Sequence, residues 1–442
     1  MRVMKWSMIA LAVAAAASTQ LAVAAPFVSD QAEAKGFVED SKLDLLVRNY
    51  YYNRNKKDGA VDDKDWTQGI QGMFSSGYTQ GLIGVGVEAW GQLAIKLDGS
   101  DKYGGTGNMP VGNDGEVENN QGKAGAAAKF RISKTELKVG DMQPSTSPVF
   151  AVGGSRILHQ TASGIQLQSS EVKDLDLEAG HFYSATSQDR NARDGDLWAT
   201  YAGVKANSID YFGGKYGVTD NLSFSLYGAK LEDVWNQYYA NANYTLPLGG
   251  DQSLNFDGNY YNTKDTGNAK AGEISNNAYS LAAAFSFLKA HTLTLGFQKV
   301  NGDTPFDYIG VGKNNRGGDS IFLANSIQYS DFNAPGEKSV QARYDLKMAE
   351  YGVPGLSFMT RYVKGWDIDG TNTPAGSPYA GLYGADGKHH ETNVEVKYVV
   401  QSGPAKDLSF RIRQAWHSAN ADEGEGDISE FRLITDYPLN IL

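Results

Sequence analysis

The chain has 442 residues, among them 51 glycines, 25 tyrosines and 18 phenylalanines, with no cysteine and a formal net charge of −11. The lack of cysteine excludes disulfides and thiolate metal sites, and the negative balance speaks against a nucleic-acid binder, whose field should be positive. The length admits several soluble domains or one large closed sheet, and abundant glycine and tyrosine favour many short strands, tight turns and aromatic belts at a membrane interface.

In chain order, Arg2 and Lys5 precede the apolar run Met8 to Ala17, and Ala22-Val23-Ala24 has the small-x-small pattern of a secretory cleavage site. Residues 1–24 are therefore expected to be a signal peptide, because a cut one residue later would put Pro26 directly after the scissile bond. Residues 25–442 are expected to form one domain. No later stretch is long enough for a transmembrane helix. An exported chain without such helices can still be integral if a closed barrel satisfies its backbone.

Residues 25–42 are polar and unpatterned, and read as a segment on the periplasmic side. A first strand follows. Leu43, Leu45, Val47 and Tyr51 fall on one face, with Asp44, Arg48, Tyr50, Tyr52 and Arg54 on the other. After the charged loop Asn55 to Asp65 the pattern repeats: long amphipathic strand, short turn, strand, long polar loop. Short turns are expected near 77–79, 132–134, 170–173, 219–220, 248–251, 288–290, 351–355 and 402–406. Long loops fall near 98–122, 143–163, 185–207, 264–275, 301–338, 366–388 and 419–428, with a tight connection near 231–233. The count is about eighteen strands, even, with both ends on one side, as closed bacterial outer-membrane barrels require. The predicted fold is all-β: a single transmembrane antiparallel barrel with short periplasmic turns and long extracellular loops. Loops 143–163 and 301–338 are too long and too apolar to be merely solvated, and the lumen is the place for them.

The last strands carry the functional signal. Leu408, Phe410, Ile412 and Trp416 alternate with Ser409, Arg411, Arg413, Ala415 and His417; Phe431, Leu433 and Tyr437 alternate with Arg432, Ile434 and Asp436. A charge at mid-membrane on the lipid side costs roughly 2–4 kcal/mol, so the arginine faces belong inside. The same alternation turns Arg343, Arg361 and Lys397 inward. With Arg54 across the closure, these residues make a basic row on one arc of the wall. Such a row attracts carboxylates, and several sites in series let a solute move on without a deep trap. The competing reading is that these cations pair with the inward acids Asp345, Glu395 and Asp436. Asp307, Asp319 and Asp331 on the long loop are expected to face the row, orienting a zwitterion or a cationic amino acid.

Several long runs resemble the OprD family of substrate-specific outer-membrane channels. They are "LDLLVRNYY" (43–51), "PVFAVGGSRILHQTASGIQLQSS" (148–170), "GDSIFLANSIQYSDF" (318–332), "KHHETN" (388–393) and "FRIRQAW" (410–416). The resemblance covers essentially the whole chain. It implies an eighteen-stranded barrel with inward-folded loops that takes up small carboxylate-bearing nutrients passively. The branch it resembles is associated with basic amino acids, small peptides and carbapenem antibiotics. Carried over by motif, the basic ladder falls on Arg54, Lys64, Lys397, Arg411, Arg413 and Arg432. The electronegative side falls on Asp319 and Asp331, with Tyr308 and Tyr329 nearby. His159, where the family tends to have proline, and the divergent stretch 370–385 depart from the pattern and bear on pore width.

Other signals are weaker. His389-His390-Glu391 suggests a metal, but adjacent strand residues point opposite ways, so no metal or other cofactor is expected. Asp367-Ile368-Asp369-Gly370 lacks the closing ligand of a calcium loop, and Gly310-Val311-Gly312-Lys313 lacks the rest of a phosphate loop. A serine-type peptidase on the same barrel, built on Ser320 with His181 or His417, is an alternative without a nucleophile elbow; a non-selective general porin is another. The expected partners are carboxylate solutes, outer-membrane lipid and lipopolysaccharide, with no nucleic acid. The expected location is the outer membrane of a Gram-negative cell, as a monomer or loose trimer.

Overall fold

A computed structural model describes residues 26–98 and 104–442; the expected signal peptide lies outside them. Eighteen strands, each antiparallel to the next, run as a meander from Lys42–Lys56 to Ile428–Asn440. The barrel closes where these two pair, from Asp44 opposite Asn440 to Lys56 opposite Ile428. Closure removes every sheet edge and satisfies the backbone within lipid. Helix is confined, among the described residues, to the 3-10 turns Gln31–Glu33 and Ala349–Tyr351.

Turns and loops fall where the alternation breaks. One rim carries connections such as Ser133-Lys134 and Gly250-Asp251, the latter with Gly250 at φ 58°, a conformation glycine adopts without strain. The other rim carries the long loops. The N-terminal segment lies on the short-turn rim, where Gln31 N–H donates to Ser133 O at 2.7 Å and Gly77 N–H donates to Phe37 O at 2.8 Å.

Side-chain alternation sorts the two faces. In Ser409–Ala419, Phe410, Ile412 and Trp416 lie open on the outside, while Arg413, Ala415 and His417 are buried within. Outward apolar residues form the surface that hydrocarbon covers.

The long loops fold into the lumen. Tyr261 donates to Pro148 O at 3.0 Å and Gln71 donates to Ile157 O at 3.0 Å, holding loop 143–160 against the wall. Loops 187–208 and 302–337 join through a small sheet of Leu197–Ala199, Val204–Ala206, Ile309–Val311 and Arg316–Gly317. Phe150, Leu197, Ile309, Phe306 and Leu323 from these loops pack on the inward Phe182, Tyr211, Trp235 and Tyr261 of the wall. Most of the buried apolar core is thus inside the barrel along this arc, and a smaller cluster sets Ile157 and Leu158 with Tyr50, Tyr52 and Ile434 at the closure.

Candidate functional site

On the opposite arc the inward side chains are charged. Register sets them in order. Arg343 stands across from Arg361, Arg361 from Asn393, Lys397 from Arg411, and Arg413 from Arg432. Arg54 stands across from Glu430 at the closure. The cations descend from Arg54 and Arg432 near the loops, through Arg413, to Arg411 and Lys397 nearer the turns.

Most of them are paired. Arg343 holds Asp345 through two nitrogens, at 2.7 and 2.8 Å. Glu395 lies 2.7 Å from Arg411 and 3.1 Å from Arg413. Glu430 is 2.7 Å from Arg54 and 2.6 Å from Arg432, and it accepts the Tyr52 hydroxyl at 2.5 Å. The competing pairing is therefore realised through Asp345 and Glu395, whereas Asp436 pairs with Arg48 and Glu430 is a further acid. This pairing leaves charge over, because Glu395 and Glu430 each serve two guanidiniums. Among the described residues Arg361 has no such partner: it donates to the amide oxygen of Asn393 at 2.9 and 2.7 Å. The acids fix rotamers that would otherwise be mobile, and a pre-organised guanidinium fork loses little entropy when it meets a carboxylate.

Above this row lies a cavity of about 250 Å³, with Arg54, Arg156 and Arg316 on its walls and Asp319 and Tyr308 among the remaining lining residues. Arg316 is held by Asp189 at 2.7 Å. Arg156 donates to Thr106 O at 2.8 Å and stacks over Tyr52, 5.5 Å from its centroid. Asp319 accepts the Gly154 N–H at 3.3 Å, and burial pushes its carboxyl up to about 6. Tyr329 lies under Arg54, its ring centroid 4.8 Å from the guanidinium carbon, and donates to Glu425 O at 2.9 Å. Here acid and base meet across one small space.

Two expected positions are corrected. Lys64 does not enter the lumen: in Asp63–Ser75 it shares the phase of Trp66 and Ile70, both open on the outer face, and it lies over the ring of Tyr51. The odd-numbered Asp63, Asp65 and Thr67 take the inward places. Asp307 does not face the arginines. It is buried in loop packing, accepting the N–H groups of Tyr201, Ala202 and Tyr308 and the hydroxyl of Tyr379 at 2.7–3.0 Å. Asp331 is also partly buried, accepting the hydroxyls of Tyr201, Tyr308 and Ser326 at 2.6–3.0 Å.

Three arginines at the site escaped the sequence reading. Arg48, on the inward face of the first strand, pairs with Asp436 at 2.7 Å and donates to Gly154 O and Arg156 O, pinning loop 143–160. Arg156 and Arg316 lie on loops, where no periodicity marks direction. His159 is buried beside Gln92 and Gln143, away from the cavity lining. Stretch 370–385 braces the long loop through Tyr379 to Asp307 and Thr373 to Asp303 O. The peptidase constellation does not assemble: His181 pairs with Asp210 near an outer-face groove, His417 donates to Gly426 O, and Ser320 is buried.

The model of the OprD family, described as an outer membrane porin, matches residues 35–441. The chain is 65% identical to Porin D of Pseudomonas aeruginosa over the full length of both. The crystal structure of P. aeruginosa OprD superposes with a TM-score of 0.84 at 60% identity, covering 95% of this chain and 100% of that one. That of P. aeruginosa OpdK with vanillate superposes with a TM-score of 0.82 at 33% identity, covering 92% of this chain and 100% of that one. With its closed eighteen-stranded barrel and inward loops, the chain belongs to the OprD family of outer-membrane porins and is a channel rather than an enzyme.

Proposed function

We propose that the channel selects small solutes bearing a carboxylate and favours those that also carry a cationic group, as basic amino acids and short basic peptides do, with carbapenem antibiotics as further cargo. The observation that carries this reading is the cavity where Arg54, Arg156 and Arg316 share the walls with Asp319. A carboxylate is drawn to the guanidiniums while an ammonium group is drawn to the aspartate. Low-dielectric walls focus both fields. The solute then passes to Arg432, Arg413, Arg411 and Lys397, sites in series with partial neutralisation that keeps any one of them from trapping it. Vanillate, seen with OpdK, carries a carboxylate, which supports the acid-binding half of the reading. Residues 1–24 act as the export signal and residues 25–442 as the inserted barrel, surrounded by outer-membrane lipid and lipopolysaccharide.

Liposome swelling tests this. Arg156 and Lys397 form no ion pair among the described residues, so Arg156→Gln with Lys397→Gln orphans no carboxylate. The double variant is expected to slow entry of arginine, lysine and benzoate roughly tenfold, about 1.4 kcal/mol, with little change for a neutral sugar of similar size. Equal rates for charged and neutral solutes in the parent channel would refute the selectivity.

A further inference from the structure

On the inner wall two histidines face each other. His389 lies on Gly387–Val399 and His417 on Ser409–Ala419. Register places Ala419 across from His389 and His417 across from Glu391, so the rings are diagonal neighbours on one face. Adjacent residues of a strand do point apart, and His390 turns outward to lie against Tyr362. The partner of His389 comes instead from the next strand: its Nδ1 is 2.8 Å from His417 Nε2.

Two carboxylates of loop 420–427 close on the same point. Glu423 Oε1 is 3.4 Å from His389 Nδ1, and Glu425 Oε2 is 3.7 Å from His417 Nε2. One donor atom from each of the four side chains lies within 4.8 Å of all the others. Glu425 Oε2 is a buried oxygen with no hydrogen-bond partner among the described residues.

The far sides of both rings are anchored. His417 Nδ1 lies 2.8 Å from the carbonyl of Gly426. A carbonyl only accepts, so Nδ1 carries the proton and Nε2 turns a lone pair to the cluster. His389 Nε2 lies 2.7 Å from Glu337 Oε1, and the other oxygen of Glu337 accepts the Ala334 N–H at 2.9 Å. Carbonyl and carboxylate partners of this kind orient imidazoles that bind metals.

We propose that His389, His417, Glu423 and Glu425 form a binding site for a divalent transition-metal ion, zinc being the best chemical match to two imidazoles and two carboxylates in tetrahedral array. Metal–nitrogen bonds of about 2.0–2.1 Å set donors roughly 3.4 Å apart in a tetrahedron. The carboxylate contacts already lie near that spacing, and the facing nitrogens need to part by about half an ångström. The competing occupant of the gap is a proton passed along Glu337, His389 and His417. Side-chain access is through Glu425, which is a quarter exposed. Glu425 O accepts the hydroxyl of Tyr329, whose ring packs 4.9 Å from His417 and lies against Arg54. A bound ion would tie loop 420–427 to the wall close to Tyr329 and Arg54.

The test uses the full barrel folded in detergent, titrated with Zn²⁺ by calorimetry and with Co²⁺ by visible absorption. One ion per barrel is expected, with the intense visible bands of tetrahedral Co²⁺. Binding is expected to vanish in His389→Ala with His417→Ala and to weaken about tenfold in Glu425→Gln. In Glu337→Gln, where a positioning residue is changed, it should weaken about 10–100-fold. His181→Ala, remote on the outer face, should bind as the parent does. Absence of both signals in the unaltered chain overturns the site without reference to any variant, as does binding retained in the double histidine variant.

Discussion

The lumen has two halves that share one backbone rule and differ in what they meet. From Leu175–Thr186 round to Gln252–Asp265 the inward side chains include Phe182, Tyr211, Trp235, Tyr239 and Tyr261, and three loops settle on them. From Lys338–Lys347 round to Lys42–Lys56 the inward side chains include Arg343, Arg361, Arg411, Arg413, Arg432 and Arg54, and carboxylates of the wall settle on most of those. Burying a large apolar side chain is worth about 1.5–3 kcal/mol, so the loops collapse on the aromatic arc. The charged arc is met by polar contacts instead: Gln328, Tyr329 and Ser330 of the long loop bond to Glu430, Arg432 and Glu391, which leaves Arg54 and Arg411 as more open guanidiniums than the buried Arg432. One half makes a wall thick; the other makes the remaining gap selective.

The sharpest way to break this division is on the packed side. Phe306 is wholly buried against Tyr261, and Phe306→Ala is expected to cost about 3–5 kcal/mol, seen as a lower denaturation midpoint, with single-channel conductance rising as loop 302–337 loosens. Next come the two aspartates that the sequence treated alike. Asp307→Asn removes an acceptor from a fully engaged buried carboxylate and should destabilise by about 1–3 kcal/mol while leaving the preference for lysine over neutral amino acids intact. Asp319→Asn should do the reverse, abolishing the preference with little change in the denaturation midpoint. If both variants behaved alike, the distinction between packed and pore-facing acid would fail.

A smaller effect is expected from pH. Burial raises the Asp319 carboxyl to about 6, so it is charged above that value and neutral below it. The preference for lysine over a neutral amino acid should be full at pH 7.5 and shrink as pH falls to 5, whereas Asp319→Asn should show no such slope. Smallest of all is Lys64→Gln. A residue on the outer face should leave charged-solute flux unchanged and stability within about 0.5 kcal/mol; a clear loss of carboxylate entry would return Lys64 to the lumen.

Much of the site was legible because strand alternation is a local rule. Arg343, Arg361, Lys397, Arg411, Arg413, Arg432 and Arg54 all turn inward as their phase dictates. Lys64 was placed by family resemblance against its own phase, since Trp66 and Ile70 share its side of the strand. Asp307, Arg156 and Arg316 belong to loops, where direction depends on partners remote in the chain. The His389–His417 contact joins residues 28 apart through register alone.

By itself the sequence determined the closed barrel, the order of its strands and the face each side chain takes, because a residue's phase in a strand depends only on its neighbours. The tertiary structure alone decided which acids line the passage, which arginines are neutralised and how histidines and glutamates converge, because those contacts depend on cross-strand register and on where folded-in loops find apolar surface to bury.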